Sequence, residues 1–236
     1  WGLRNTQYIK GAYVKPVIAN NDLNKISVKR ASQAKSAKII IAGMTKTIEA
    51  YFDFGGILAG KSTSIILGDI KKLMALNVLL NSSLLSFWFS KNYNSLSMSG
   101  GYFNVGIHEL GSLPIPDQLF SKYLETFSRL NSIIEFVYSY SFNPDFFVSL
   151  LNSACFELFF PVRVQNSNSE ILKHMADLPV LKNDWSNETK LRAIQNFYSV
   201  CSSSSHPISM AIKQQASLSE MRIIMGLAVL NDNKTK

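Results

Sequence analysis

Leu113-Pro114-Ile115-Pro116 divides this chain into two kinds of sequence. Each proline lacks the amide donor that a helix or a central strand needs, so neither element continues through this turn. Before it, short β-branched runs alternate with glycine; after it, apolar residues recur every three or four positions almost to the end. The pattern predicts an α+β fold: a small mixed β-sheet domain with one long helix over residues 1–116, then an all-α helical bundle over 117–236.

Within the first part, Trp1–Gln33 is polar and dotted with lysine, with turn signals at Lys15-Pro16 and Asn20-Asn21-Asp22, and reads as extended segments and loops. Ile39–Ile41, Ala50–Phe54 and Ser62–Leu67 read as three strands of one sheet, the last two ending at Gly55-Gly56 and Gly68. Asp69 is the expected N-cap of the long helix, whose Leu73, Leu76, Leu80, Leu84 and Phe87 share a face, and which should end near Lys91–Asn94. Ser95–Gly101 reads as a small, polar loop able to approach another molecule closely. Beyond residue 117, helices are expected over Asp117–Tyr140, Pro144–Phe160, Ser169–Leu178, Glu188–Val200, Ser209–Gln215 and Ser219–Leu230.

Charge follows the same boundary. Residues 1–116 carry 13 Lys or Arg against 5 Asp or Glu, whereas residues 117–236 carry 11 of each, so the whole net charge of +8 sits in the first part. A basic half beside a neutral half fits an anion-binding module on a helical scaffold, or a lysine-rich surface that only keeps the chain soluble. Hydrophobic residues make up 47% of the chain, enough for a core without crosslinks. Cys155 and Cys201 are expected to be reduced, buried thiols in a cytosolic protein. The apolar stretch Leu73–Phe89 is interrupted by Asn77, Asn81, Ser82, Ser83 and Ser86, and is not expected to span a membrane. The chain starts at Trp1 without a signal-peptide layout, and is expected to be a piece of something longer.

Several catalytic patterns fail on context. Gly55-Gly56-Ile57-Leu58-Ala59-Gly60-Lys61-Ser62 spells a phosphate-binding loop, but Ser62 opens a β-branched run where such a loop must open a helix. Asn143-Pro144-Asp145-Phe146 reads as a helix start, with Asn as cap and Pro at the first helical position. His108, His174 and His206 lack metal-ligand spacing and read as surface or cap residues. Glu49, Asp53 and Glu109 are too isolated for paired-carboxylate chemistry, so the chain alone is not expected to be an enzyme.

A longer pattern points elsewhere. Lys38-Ile39-Ile40-Ile41-Ala42-Gly43-Met44-Thr45-Lys46 is followed by Leu58-Ala59-Gly60-Lys61-Ser62-Thr63, Leu79-Leu80-Asn81-Ser82, Gly100-Gly101-Tyr102-Phe103 and Leu113-Pro114-Ile115-Pro116. In order and spacing this resembles the TaqI-like specificity domain, the target-recognition region of adenine-N6 DNA methyltransferases and of fused type IIG restriction-modification enzymes. Asn152-Ser153-Ala154-Cys155-Phe156-Glu157-Leu158-Phe159-Phe160-Pro161 and His206-Pro207-Ile208 extend the resemblance, which covers roughly residues 36–231. Where that family often has basic residues after the first strand, this chain has Ala42-Gly43-Met44, so basic contacts must come from Lys38, Lys46 or neighbours.

The resemblance implies sequence-specific recognition of double-stranded DNA by a cytoplasmic restriction-modification protein. It implies no cofactor in this piece: a methyltransferase domain of the same polypeptide would hold S-adenosylmethionine, and Mg2+ would serve a parent that also cleaves. Neither the glycine-rich cofactor loop nor the Asn-Pro-Pro-Tyr type motif of such a domain is present here. Lys29, Arg30, Lys35, Lys38, Lys46 and Lys61 are the expected phosphate contacts, and six of them would give log K a salt slope of about −5. Base contacts are expected from Met44, Thr45 and Lys46 after the first strand, and from Asn94, Ser97, Met98, Ser99 and Tyr102 after the long helix. The helical half is expected to space or pack against the catalytic domain. Two alternatives stay open: a protein-interaction scaffold, and the separate specificity subunit of a multi-subunit type I system.

Overall fold

A computed structural model describes residues 25–60, 62–93, 97, 98, 100–140 and 142–227. It is an α+β structure. The chain runs α1 (Val28–Lys35), β1 (Lys38–Ala42), β2 (Met44–Thr45), β3 (Ala50–Asp53), β4 (Thr63–Leu67), α2 (Ile70–Leu80), α3 (Ser83–Asn92), β5 (Ser97–Met98), β6 (Tyr102–Asn104) and α4 (Ile107–Gly111). It continues through α5 (Gln118–Ser121), α6 (Leu124–Ser139), α7 (Asp145–Phe159), α8 (Pro161–Asn166), a 3-10 turn (Leu172–His174), α9 (Asn187–Cys201), α10 (Pro207–Ser217) and α11 (Ser219–Ile224).

The three expected strands form one antiparallel sheet in the order β3-β1-β4. Ile39 pairs with Phe52 and Ile66, and Ile41 with Ala50 and Ser64. Ile39, Ile41, Ala50 and Phe52 enter the main core, which α2 supplies from one side with Leu73, Ala75, Val78 and Leu79. The same core takes in Phe127, Leu130 and Ile134 of α6 and Phe147, Leu150 and Phe156 of α7. All strands among the described residues therefore precede Pro116, while the apolar core runs through that position.

The expected long helix is two helices bent by 67°. Asp69 caps the first as foreseen, its Oδ1 accepting from Lys72 N at 3.1 Å. The break falls at Asn81-Ser82, where side chains outcompete the continuing leucine pattern. Asn81 Oδ1 accepts from Ala50 N (3.2 Å) and its Nδ2 donates to Ala50 O (2.9 Å), so the side chain acts as a strand partner for β3. Ser82 Oγ then caps α3 by accepting from Leu85 N, and Asn152 Oδ1 accepts from Ser83 N at 2.8 Å. Satisfying buried backbone groups this way favours the bend over a straight helix. No single helix among the described residues is long and apolar enough to cross a membrane.

Three further local expectations are corrected. Val28–Gln33, read as extended segments and loops, belongs to a helix over Val28–Lys35 capped by Ser27. The expected 117–140 helix splits into α5 and α6 at residues 122–123. Ser169–Leu178, read as helix, holds only the 3-10 turn, because buried Glu157 of α7 accepts from the amides of Ile171 and Leu172 and fixes a non-helical path. Burial pushes the Glu157 carboxyl up, and those two amides pull it back.

Candidate nucleic-acid interface

The two segments expected to read bases meet in a second antiparallel sheet, ordered β2-β6-β5. Gly43 joins it to the first. Its N–H donates to Ser62 O (2.9 Å), beside β4, and its carbonyl accepts from Val105 N (2.9 Å), just past β6. A Cβ at Gly43 would stand 2.5 Å from the Ser62 carbonyl oxygen, so only glycine permits this approach.

Register and alternation then sort the side chains. Thr45 and Ser97 lie opposite Phe103, Met44 opposite Asn104, and Met98 opposite Tyr102. Phe103 points inward, 8% exposed, with its ring edge-on to Phe89 at 5.8 Å. Met44 and Tyr102 are 58% and 42% exposed, and Asn104 is exposed beside them. Lys46 Nζ sits 5.1 Å from the centre of the Tyr102 ring, a cation–π placement. Gly100 and Gly101, both with φ near +80°, add no side chain where the chain turns into β6.

The sheet thus gathers Met44, Thr45, Lys46, Ser97, Met98 and Tyr102 from two distant stretches of sequence. Thr45 belongs to its inner side: it is 4% exposed and its hydroxyl donates to Glu49 Oε1 at 2.9 Å, so it offers nothing to an outside base. Asn94, Ser99 and Lys61 lie outside the described residues. Asn104 was missed by sequence reasoning; its signal was the alternation Tyr-Phe-Asn directly after the glycine pair.

The basic residues divide into two fates. Lys29 and Lys35 are exposed on α1. Arg30, half-buried, donates from Nη2 to Ala59 O (3.1 Å), and Gly56 N donates to Ala34 O (2.7 Å), so α1 is tied along the glycine-containing loop that leads back to Ser62. Lys38 must be withdrawn as a phosphate contact. It is 0% exposed, and its ammonium donates to Asp53 Oδ2, to Ala34 O (3.2 Å) and to Ser36 O (3.1 Å), which uses all three of its protons. Asp53 Oδ2 also accepts from Ile57 N at 3.2 Å. The pair pins α1, β1, β3 and the chain at Ile57 together.

Other chemistry-bearing residues serve structure. Thr63 opens a strand after the phosphate-loop spelling, and no helix follows that loop. Asn143 Oδ1 accepts from Asp145 N (3.0 Å) at the start of α7. His206 caps α10, its Nδ1 accepting from Ile208 N at 3.2 Å. Cys155 and Cys201 are both free and buried; burial pushes the Cys155 thiol far up and that of Cys201 to about 11. No family model matches the chain, and no curated protein or solved structure matches it either.

Proposed function

We propose that this chain is a double-stranded DNA target-recognition module, the specificity part of a restriction-modification enzyme of the adenine-N6 methyltransferase class. One observation carries the reading: the two segments with candidate base contacts, 44–45 and 97–98 with 102, share one small sheet with an exposed face, inside the basic part of the chain. Affinity comes from phosphate contacts by Lys29, Arg30, Lys35, Lys46 and Lys61, and sequence from side chains on the sheet's outer face. Methylation belongs to a catalytic domain of the same polypeptide, which would bind S-adenosylmethionine, with Mg2+ needed by a parent that also cleaves. The module works in the cytoplasm, where the DNA is.

The test is fluorescence anisotropy with a duplex pool of randomised core at roughly 50 and 200 mM salt, followed by sequencing of the bound fraction. Without Lys38, five phosphate contacts give an expected salt slope of about −4.5. A steep slope with an enriched motif supports the module, and absence of binding at low salt rejects it. Rejection would favour a protein-interaction scaffold, for which exposed Phe54, Leu67 and Ile70 near the Lys38 end of the first sheet would be the contact surface.

A further inference from the structure

We infer that Asn104 is the residue that reads an adenine edge, from a β-ribbon laid in the DNA major groove; this rests on the DNA-recognition reading above. Paired residues of antiparallel strands share a face, so the outward face of the second sheet carries Met44 and Asn104 side by side and Tyr102 two residues along β6. Asn104 is exposed, and its amide makes no hydrogen bond among the described residues. An asparagine amide offers an oxygen acceptor and an N–H donor in one plane, the complement of adenine N6–H and N7 in the major groove.

The surroundings suit that use. The strands β2, β6 and β5 contain no acidic residue, and the nearest carboxylate in sequence, Glu49, is engaged by Thr45. Exposed Met44 supplies an apolar tip for a thymine methyl, and Lys46, steadied over Tyr102, supplies a cation for a flanking phosphate. The paired strands β2 and β6, with axes about 4.8 Å apart, make a two-stranded ribbon of the kind that a major groove about 12 Å wide admits. Gly100 and Gly101 add no side chain where the chain turns into β6, which keeps that end of the strand open to close approach.

The experiment compares the 236-residue chain with Asn104→Ala and Asn104→Gln in the randomised-duplex selection, with circular dichroism and thermal melts to check folding. It then uses the enriched duplex with its adenines replaced one at a time by 7-deazaadenine, which pairs normally but lacks N7. For the unsubstituted chain, one such replacement should weaken binding about 5- to 100-fold. Asn104→Ala should lose preference at that one position, bind the natural and 7-deaza duplexes equally, and keep the salt slope. An unchanged motif in a folded Asn104→Ala overturns the assignment while leaving the module reading intact. Salt-steep binding by the unsubstituted chain without any enriched motif also overturns it, leaving a phosphate binder only. No salt-dependent binding at all overturns both readings.

Discussion

The two sheets are both three-stranded and antiparallel, and they share Gly43, yet they are built for opposite ends. The first has a central strand whose residues Lys38–Ile41 are all buried. The second has strands of two or three residues and turns Met44, Tyr102 and Asn104 outward. Their lysines show the contrast: Lys38 opens β1 and is sealed against Asp53, whereas Lys46 follows β2 and lies over an exposed ring. A lysine in a basic half is therefore sealed as a structural bolt or left exposed according to the strand it sits on. Burial, not sequence charge, decides between them.

The largest effect should come from breaking the bolt. Asp53→Ala leaves the Lys38 ammonium buried with only two carbonyls for company, and should cost about 3–5 kcal/mol in urea or thermal unfolding. Replacing both partners by apolar residues, Lys38→Met with Asp53→Leu, should recover most of that loss, because no uncompensated charge remains. A small effect of Asp53→Ala would mean that the lysine escapes to solvent, and the contrast with Lys46 would collapse.

The joint between the sheets comes next. Gly43→Ala brings a methyl group against the Ser62 carbonyl, which is backbone and cannot swing aside, so about 1–3 kcal/mol of destabilisation is expected. Because Val105 N donates to Gly43 O, its amide should exchange faster than amides of β1 in hydrogen-exchange measurements on this variant. Equal acceleration in both sheets would show that they open as one unit.

A smaller, pH-dependent effect lies in α6, within electrostatic reach of Asp53 of the first sheet. Half-buried Glu135 of α6 has its carboxyl pushed up to about 8, chiefly by desolvation, with the Asn131 amide opposing and the Asp53 charge adding to the rise. Between its ordinary value of about 4.5 and 8 the folded protein keeps this proton while the unfolded chain releases it. Stability therefore declines as pH rises through that window. Glu135→Gln should change stability little at pH 5 and raise it at pH 9 relative to the parent, as seen in denaturant midpoints at the two pH values. An identical gap at both pH values would mean that the Glu135 carboxyl is not held protonated by the fold.

Sequence made the first sheet legible and the second nearly invisible, for a physical reason. Ile39–Ile41 and Ser62–Leu67 are β-branched runs long enough to declare strands. Ser97–Met98 and Tyr102–Asn104 are too short for any periodicity, and they exist because Gly43, Gly100 and Gly101 let the chain approach and turn. The same limit hid the bend at Asn81-Ser82, where the leucine spacing runs on unbroken and only the Ala50 backbone, thirty-one residues away, explains the stop. The α1 helix was hidden because Val28–Lys35 is mostly polar and buries only Ala34. Of the candidate site, sequence named 44–46 and 94–102 as two separate loops with candidate base contacts; that 44–45 and 97–98 pair with 102–104 in one sheet was not foreseen. Nor was the inward turn of Lys38 and Thr45, since it depends on partners that only the fold supplies.

The least perturbing change is the most informative about the second sheet. Lys46 is exposed, and its cation–π contact with Tyr102 is worth about 0.5–1 kcal/mol at a surface, so Lys46→Gln should scarcely move the unfolding midpoint. If Lys46 faces a phosphate, the same change should reduce the slope of log K against log salt by about 0.9 and weaken all duplexes alike, since a phosphate contact carries no sequence information. A lost base preference with an unchanged slope would instead make Lys46 a base reader and shift the phosphate contacts to α1. An unchanged slope with unchanged preference would confine the lysine to holding Tyr102, and the outer face would then contact DNA through Met44, Tyr102 and Asn104 alone. These three outcomes separate the share of α1 from that of the second sheet, which the net charge of +8 by itself does not divide.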